Sequence, residues 1–234
     1  MNVLSRQVAA EFIGTAFLVM AVVGSGVMAS RLSPDDAGLQ LLQNSLATGA
    51  ALVALIVALQ PVSASFNPVV TLVERALGMV DTRTAAGLIS GQFLGGLAGA
   101  VAANLMFGLD AMALSTHVRT GPSLWLGEVI ATVGLLLVIF GAVRSGRADR
   151  VAFAVGAYIT GAYWFTSSTS FANPAVTIAR TVTNTFAGIA PASAPAFILV
   201  QLLGGAAGYF LVRVLYPSFS AASATPSADR KVLS

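Results

Sequence analysis

The chain has 234 residues, of which 56% are apolar and 9% charged, with mean hydropathy +0.85 and net charge +3. A soluble domain carries about 25% charged residues, so this composition excludes a soluble fold and points to an integral membrane protein. The absence of cysteine excludes disulfides, thiolate metal sites and a cysteine nucleophile, and the single histidine, His117, excludes a His-rich metal centre. No long basic run suggests nucleic acid, and nothing suggests a cofactor.

A helix needs roughly 20 mostly apolar residues to cross a bilayer. Taken in chain order, the sequence predicts such spans near 7–28, 40–60, 83–107, 123–143, 150–167 and 195–216. The first lacks a basic leader and a cleavage site, so it reads as a retained span. Two further apolar stretches, 66–79 and 171–189, are too short or too interrupted to cross, and each contains Asn-Pro. Asn is a good N-cap, and Pro suits the first helical turn. Each stretch therefore predicts a short helix beginning at Asn67 or Asn173. Non-helical backbone ahead of such a helix is tolerated at membrane depth only where it lines a protein or water-filled cavity. The end of the chain, 217–234, is rich in Ser, Ala and Pro and reads as a flexible tail.

Basic residues set the orientation. With the N-terminus inside, Arg6, Arg75, Arg83, Arg144, Arg147, Arg150, Arg213, Arg230 and Lys231 fall on the inner side, and Arg31, Arg119 and Arg180 on the outer. That bias predicts a cytoplasmic location for both termini.

The two halves echo each other. Ala10-Glu11-Phe12-Ile13-Gly14-Thr15 matches Gly127-Glu128-Val129-Ile130-Ala131-Thr132. Asn67-Pro68-Val69-Val70-Thr71 matches Asn173-Pro174-Ala175-Val176-Thr177. The segment from Gln92 to Gly99 matches that from Gln201 to Gly208. Three matches in one order signal duplication. An odd number of spans separates them, so the second copy is inverted. The two short helices then enter from opposite faces and meet by their N-termini near the midplane. Gly87, Gly91, Gly95 and Gly99, like Gly204 and Gly208, read as close-packing positions between helices.

The paired Asn-Pro motifs, the inverted three-span repeat and the Ala-Glu-Phe-Ile-Gly-Thr opening resemble the major intrinsic proteins, the aquaporins and aquaglyceroporins. The resemblance covers about 5–216. It implies an all-α membrane protein of six transmembrane helices plus two re-entrant half-helices. One channel domain then spans 1–216, with repeats at about 5–107 and 123–216. It implies pore motifs at Asn67, Pro68, Val69 and at Asn173, Pro174, Ala175, with the two asparagine amides donating to a passing oxygen. Carbonyls of 63–66 and 169–172 would accept. Glu11 and Glu128 would buttress the half-helix loops, and the assembly would be a homotetramer in the inner membrane.

Two positions depart from the family pattern. Val69 stands where Ala is usual, and Val176 stands where water- and glycerol-selective members carry a filter Arg. Carried over residue by residue, the filter is Val176, Ser170, Gly161 and Thr48, with Ala47 competing for the last place. This set has no Arg, His or aromatic, and implies a wider, less polar constriction. Arg180 shares a helix face with Asn173 but lies about 6 Å beyond Val176 along the axis. It reads first as a charge at the helix C-terminal end near the interface, and second as a vestibule residue. A filter of this kind resembles the arsenic-resistance-linked bacterial aquaglyceroporins, which implies arsenite and methylated arsenicals as solutes. The competing readings are a general water and glycerol facilitator, a secondary transporter, and a structural membrane protein of the same fold. An enzyme is disfavoured, since no nucleophile–base pair or metal cluster is present.

Overall fold

The structure is a computed structural model that describes residues 1–217. The expected tail, apart from Pro217, lies outside the described residues, as do Arg230 and Lys231. Eight α-helices run in the order α1 (Val3–Leu32), α2 (Ala37–Leu59), α3 (Pro68–Ala76), α4 (Thr82–Met106), α5 (Pro122–Arg144), α6 (Val151–Phe165), α7 (Pro174–Ala179) and α8 (Ala194–Leu215). The described residues contain no strand.

Helix starts follow local chemistry. Asn2, Asp36 and Asp81 each accept a hydrogen bond from a backbone N–H of the first turn of α1, α2 and α4. Pro122 opens α5 at a position where its missing N–H is harmless.

Among the described residues, five helices are long and apolar enough to cross a membrane: α1, α2, α4, α5 and α8. The sixth expected span, 150–167, is helical only over the 15 residues of α6. At 1.5 Å per residue it covers about 22 Å. A short 3-10 turn, Ala148–Arg150, leads into it, and Thr166 leaves it in extended conformation. The first span is longer than expected, since Asn2 caps it ahead of the apolar run. The second half-helix is shorter. After α7 the chain tightens into a 3-10 turn, Arg180–Val182, and 183–190 is irregular.

The repeat governs packing. In the first half α1 packs on α4, and in the second α5 packs on α8, while α2 and α6 meet across the halves. The α1–α4 crossing is close because its glycines have no side chain. A methyl on Gly95 or Gly99 would stand 2.2 Å from the carbonyl oxygen of Phe12 or Ala16. Large apolar side chains such as Leu94, Ile130, Phe153, Leu203 and Phe210 are exposed on the outer helix faces. A membrane protein presents such a surface to lipid or to another subunit. The half-helices α3 and α7 sit inside, with Pro68, Val69, Pro174 and Ala175 buried.

These contacts predict opposite outcomes for two glycines. Gly99→Val forces backbone apart at the α1–α4 crossing and should lower stability by about 3 kcal/mol, the upper range for overpacking. Gly161→Ala, inside α6, meets nothing nearer than Phe165 at 4.0 Å and should raise stability by up to about 1 kcal/mol. Thermal unfolding in detergent checks both.

Candidate functional site

The chain ahead of each half-helix takes a conformation that L-residues rarely adopt. Phe66, Thr169, Ser170 and Ala172 all have positive φ, between 46° and 63°. Each such residue costs roughly 1–2 kcal/mol. Two buried carboxylates hold the loops in place. Glu11 accepts from the Ser65 and Phe66 amides at 2.8 and 2.7 Å, from the Ser63 hydroxyl, and from Gln92 at 2.7 Å. Glu128 accepts from the Phe171 and Ala172 amides, each at 2.8 Å, and from Gln201 at 2.6 Å. Gln92 also donates to Thr71 of α3, and Gln201 to Thr177 of α7, each at 2.9 Å. The same network occurs twice, related by the inverted repeat, and both carboxylates are fully buried.

The asparagines complete it. The Asn67 side-chain oxygen caps α3 at the Val69 amide, and that of Asn173 caps α7 at the Ala175 and Val176 amides. Asn67 Nδ2 donates to the Ala172 carbonyl, and Asn173 Nδ2 to the Phe66 carbonyl, each at 2.7 Å. The two half-helices are thus laced together by their N-termini. A side-chain amide has two donors, so one N–H of each asparagine is committed to the opposite loop and one is left over.

A cavity of about 300 Å³ runs past both asparagines. Its walls are helix stripes spaced four residues apart: Leu18 and Val22 of α1, Thr48, Leu52 and Ile56 of α2, Leu135, Ile139 and Val143 of α5, and Val151, Val155, Ile159 and Tyr163 of α6. The opposite wall is loop backbone. The carbonyls of Ala64, Ser65, Ser170 and Phe171 accept no hydrogen bond from the described residues. A solute in the cavity therefore meets an apolar wall and a ladder of free acceptors with two amide donors.

Of the four predicted filter residues, Thr48, Ser170 and Val176 line the cavity and Gly161 does not. Gly161 is exposed on the outer face of α6. Tyr163 takes the place and shares a hydrogen bond with Thr48, hydroxyl to hydroxyl at 3.2 Å. A two-residue shift rotates a helical position by about 200°, from one face to the other. Ala47 is not in the lining either, whereas Thr48 is.

Two corrections follow. The cavity around Thr48, Ser170 and Val176 is not free of aromatics, since Tyr163 and Phe171 both line it. Arg180 is not an interfacial charge: it is 3% exposed and lines the cavity. Its Nε donates to the Ala187 carbonyl, and its guanidinium stacks on the Phe171 ring, 3.4 Å from the centroid. The 3-10 turn after α7 and the irregular 183–190 segment hold it there. At the other end of the cavity, Glu74 of α3 accepts from the Ser65 hydroxyl at 2.9 Å.

The carboxylate network predicts that Glu128→Gln is destabilising. The amide has one acceptor oxygen where the carboxylate has two, so it cannot receive both the Phe171 and Ala172 amides as before. Loss of a charged hydrogen bond amounts to about 2 kcal/mol. Thermal unfolding of Glu128→Gln and Glu11→Gln should show comparable losses, whereas Gln43→Leu, away from both loops, should show little.

Residues 2–165 match the family described as Major intrinsic protein. The chain is 49% identical over 213 residues to the protein named Aquaglyceroporin AqpS of Rhizobium meliloti (strain 1021), covering 91% of each. Among solved structures it is similar to the aquaglyceroporin from Plasmodium falciparum, with TM-score 0.69 and 18% identity, covering 92% of this chain and 98% of that one. The structural likeness speaks to the fold. With the family match and the curated relative added, the chain belongs to the major intrinsic protein family.

Proposed function

We propose that the protein is a passive transmembrane channel for small uncharged solutes, among them arsenite and methylated arsenicals, with glycerol and water also passing. The observation that carries this reading is the cavity wall: two spare asparagine N–H groups and a run of free carbonyls face an apolar stripe. A compact molecule with several hydroxyls satisfies donors and acceptors together, and its carbon or methyl side lies against the apolar wall. Kinship with a named aquaglyceroporin supports the class.

Ions are rejected. The N-termini of α3 and α7 converge at the cavity, and both present positive dipole ends. A cation reaching that point is repelled and finds no free carboxylate to offset its lost hydration, because Glu11 and Glu128 are held by loop donors and Glu74 stands toward one end of the cavity. The same saturation disfavours a secondary transporter, which needs free ligands for a coupling ion near the midplane. The protein lies in the bacterial inner membrane with both termini cytoplasmic, placing Arg180 toward the outside. The exposed apolar faces suit a homotetramer with one pore per protomer.

Val176 sets the width of the constriction with Tyr163. Val176→Arg adds bulk and five donors opposite small Ser170. In proteoliposomes methylated arsenicals should lose about tenfold or more in permeability, one decade corresponding to roughly 1.4 kcal/mol of barrier, while water loses least. Equal loss for water and methylated arsenicals would show that Val176 does not set the limit.

A further inference from the structure

Among the described residues, two that line the cavity are charged, Glu74 and Arg180. Each lies seven positions after its asparagine, so the inverted repeat places them toward opposite ends. Their contacts correspond as well: Glu74 meets Ser65, and Arg180 meets Phe171, the repeat partner of Ser65.

The Arg180 end is the more elaborate. Its Nε is used by the Ala187 carbonyl, and its two terminal amino groups have no acceptor among the described residues. Phe171 holds the guanidinium plane. Arg119, tied to the carbonyls of Gly188 and Phe186, lies over the same ring at 5.2 Å and adds a second positive charge behind it. The Ser170 hydroxyl is buried in the same wall and has no hydrogen-bond partner. Thr48 and Tyr163 add two more hydroxyls. Among the described residues neither arginine forms an ion pair with a carboxylate, although the Glu128 charge acts on both. A guanidinium fork with two uncommitted amino groups, beside the unpartnered Ser170 hydroxyl and the mutually bonded Thr48–Tyr163 pair, is suited to a planar or tetrahedral oxygen cluster bearing negative charge.

We propose that this end of the cavity is a binding station for a small tetrahedral oxyanion, seated between the Arg180 amino groups and the Ser170 hydroxyl. Val176, one turn earlier in the same wall, leaves room for a methyl substituent. The bound anion plugs the pore. Beyond the station the wall is apolar at Leu52, Leu135 and Ile159, and the Glu74 carboxyl stands at the far end. The inference rests on the channel reading for its effect on flux, but not for binding itself.

Methylphosphonate at pH 8 is the probe, with the full-length protein in detergent and in vesicles. Calorimetry should find one site per chain. Arg180→Met should weaken it by about tenfold, as expected for loss of a charge-assisted fork. Arg180→Lys should fall between, keeping charge without the fork, and Ser170→Ala should weaken binding by about threefold, as for one neutral hydrogen bond. In proteoliposomes, methylphosphonate added at the Arg180 side should inhibit glycerol flux, read relative to each variant's own uninhibited rate, and addition at the Glu74 side should not. Equal affinity in wild type and Arg180→Met would overturn the proposal. If Arg180→Met does not fold, wild-type affinity in both Arg180→Lys and Ser170→Ala would overturn it. Equal heat and equal inhibition by chloride at matched ionic strength would also overturn it, as would inhibition from both sides alike. If wild-type vesicles pass no glycerol, the channel reading fails while calorimetry still decides the station.

Discussion

Everything in the cavity depends on two carboxylates buried among helices and bonded to loop backbone. Left-handed φ at Phe66, Thr169, Ser170 and Ala172 is unfavourable for these residue types, and a carboxylate in a membrane interior is costlier still. Each offsets the other. Glu11 and Glu128 are stable because loop amides and a glutamine point at them, and the loops keep their shape because the carboxylates receive those amides. The turned backbone aims its carbonyls into the cavity and delivers Asn67 and Asn173 to the ends of their half-helices. The cross-loop bonds from the asparagines then fix the distance between the two N-termini.

Selectivity is built on that frame from few parts. The loop wall and the asparagines are shared by the two repeats, and in the function proposed above they set the general requirement for an uncharged, hydroxyl-bearing solute. The constriction is where the repeats differ. Tyr163 and Thr48 supply hydroxyls, Val176 supplies apolar width, and Arg180 brings a cation from one turn further along the chain. The cavity thus carries a fixed positive charge one helical turn beyond Val176.

Much of this was legible in the sequence because membrane spans and repeats are written in composition and spacing. The Asn-Pro pairs, the matched glutamates and the matched glutamines identified the symmetry, and the structure joins those same residues in two equivalent networks. What the sequence did not show came from helix phase and irregular backbone. Gly161 and Tyr163 differ by two residues, and only the start of the Thr166–Ala172 loop decides which one faces inward. The stripe Val155, Ile159, Tyr163 carried that phase, and its spacing of four was the available signal. Arg180 was placed by extending α7 as a straight helix. The chain instead tightens at Arg180, and the carbonyl that receives its side chain belongs to a segment with no periodicity to read.

The central claim is passive conduction of small neutral solutes through the cavity between the two half-helices. Stopped-flow light scattering of reconstituted vesicles in a glycerol gradient, with and without imposed proton and sodium gradients, tests it most directly. The account predicts glycerol flux above that of empty vesicles, linear in concentration and indifferent to either ion gradient, with no accompanying proton leak. Flux that saturates and requires an ion gradient, or proton leak that rises with the glycerol rate, would contradict it.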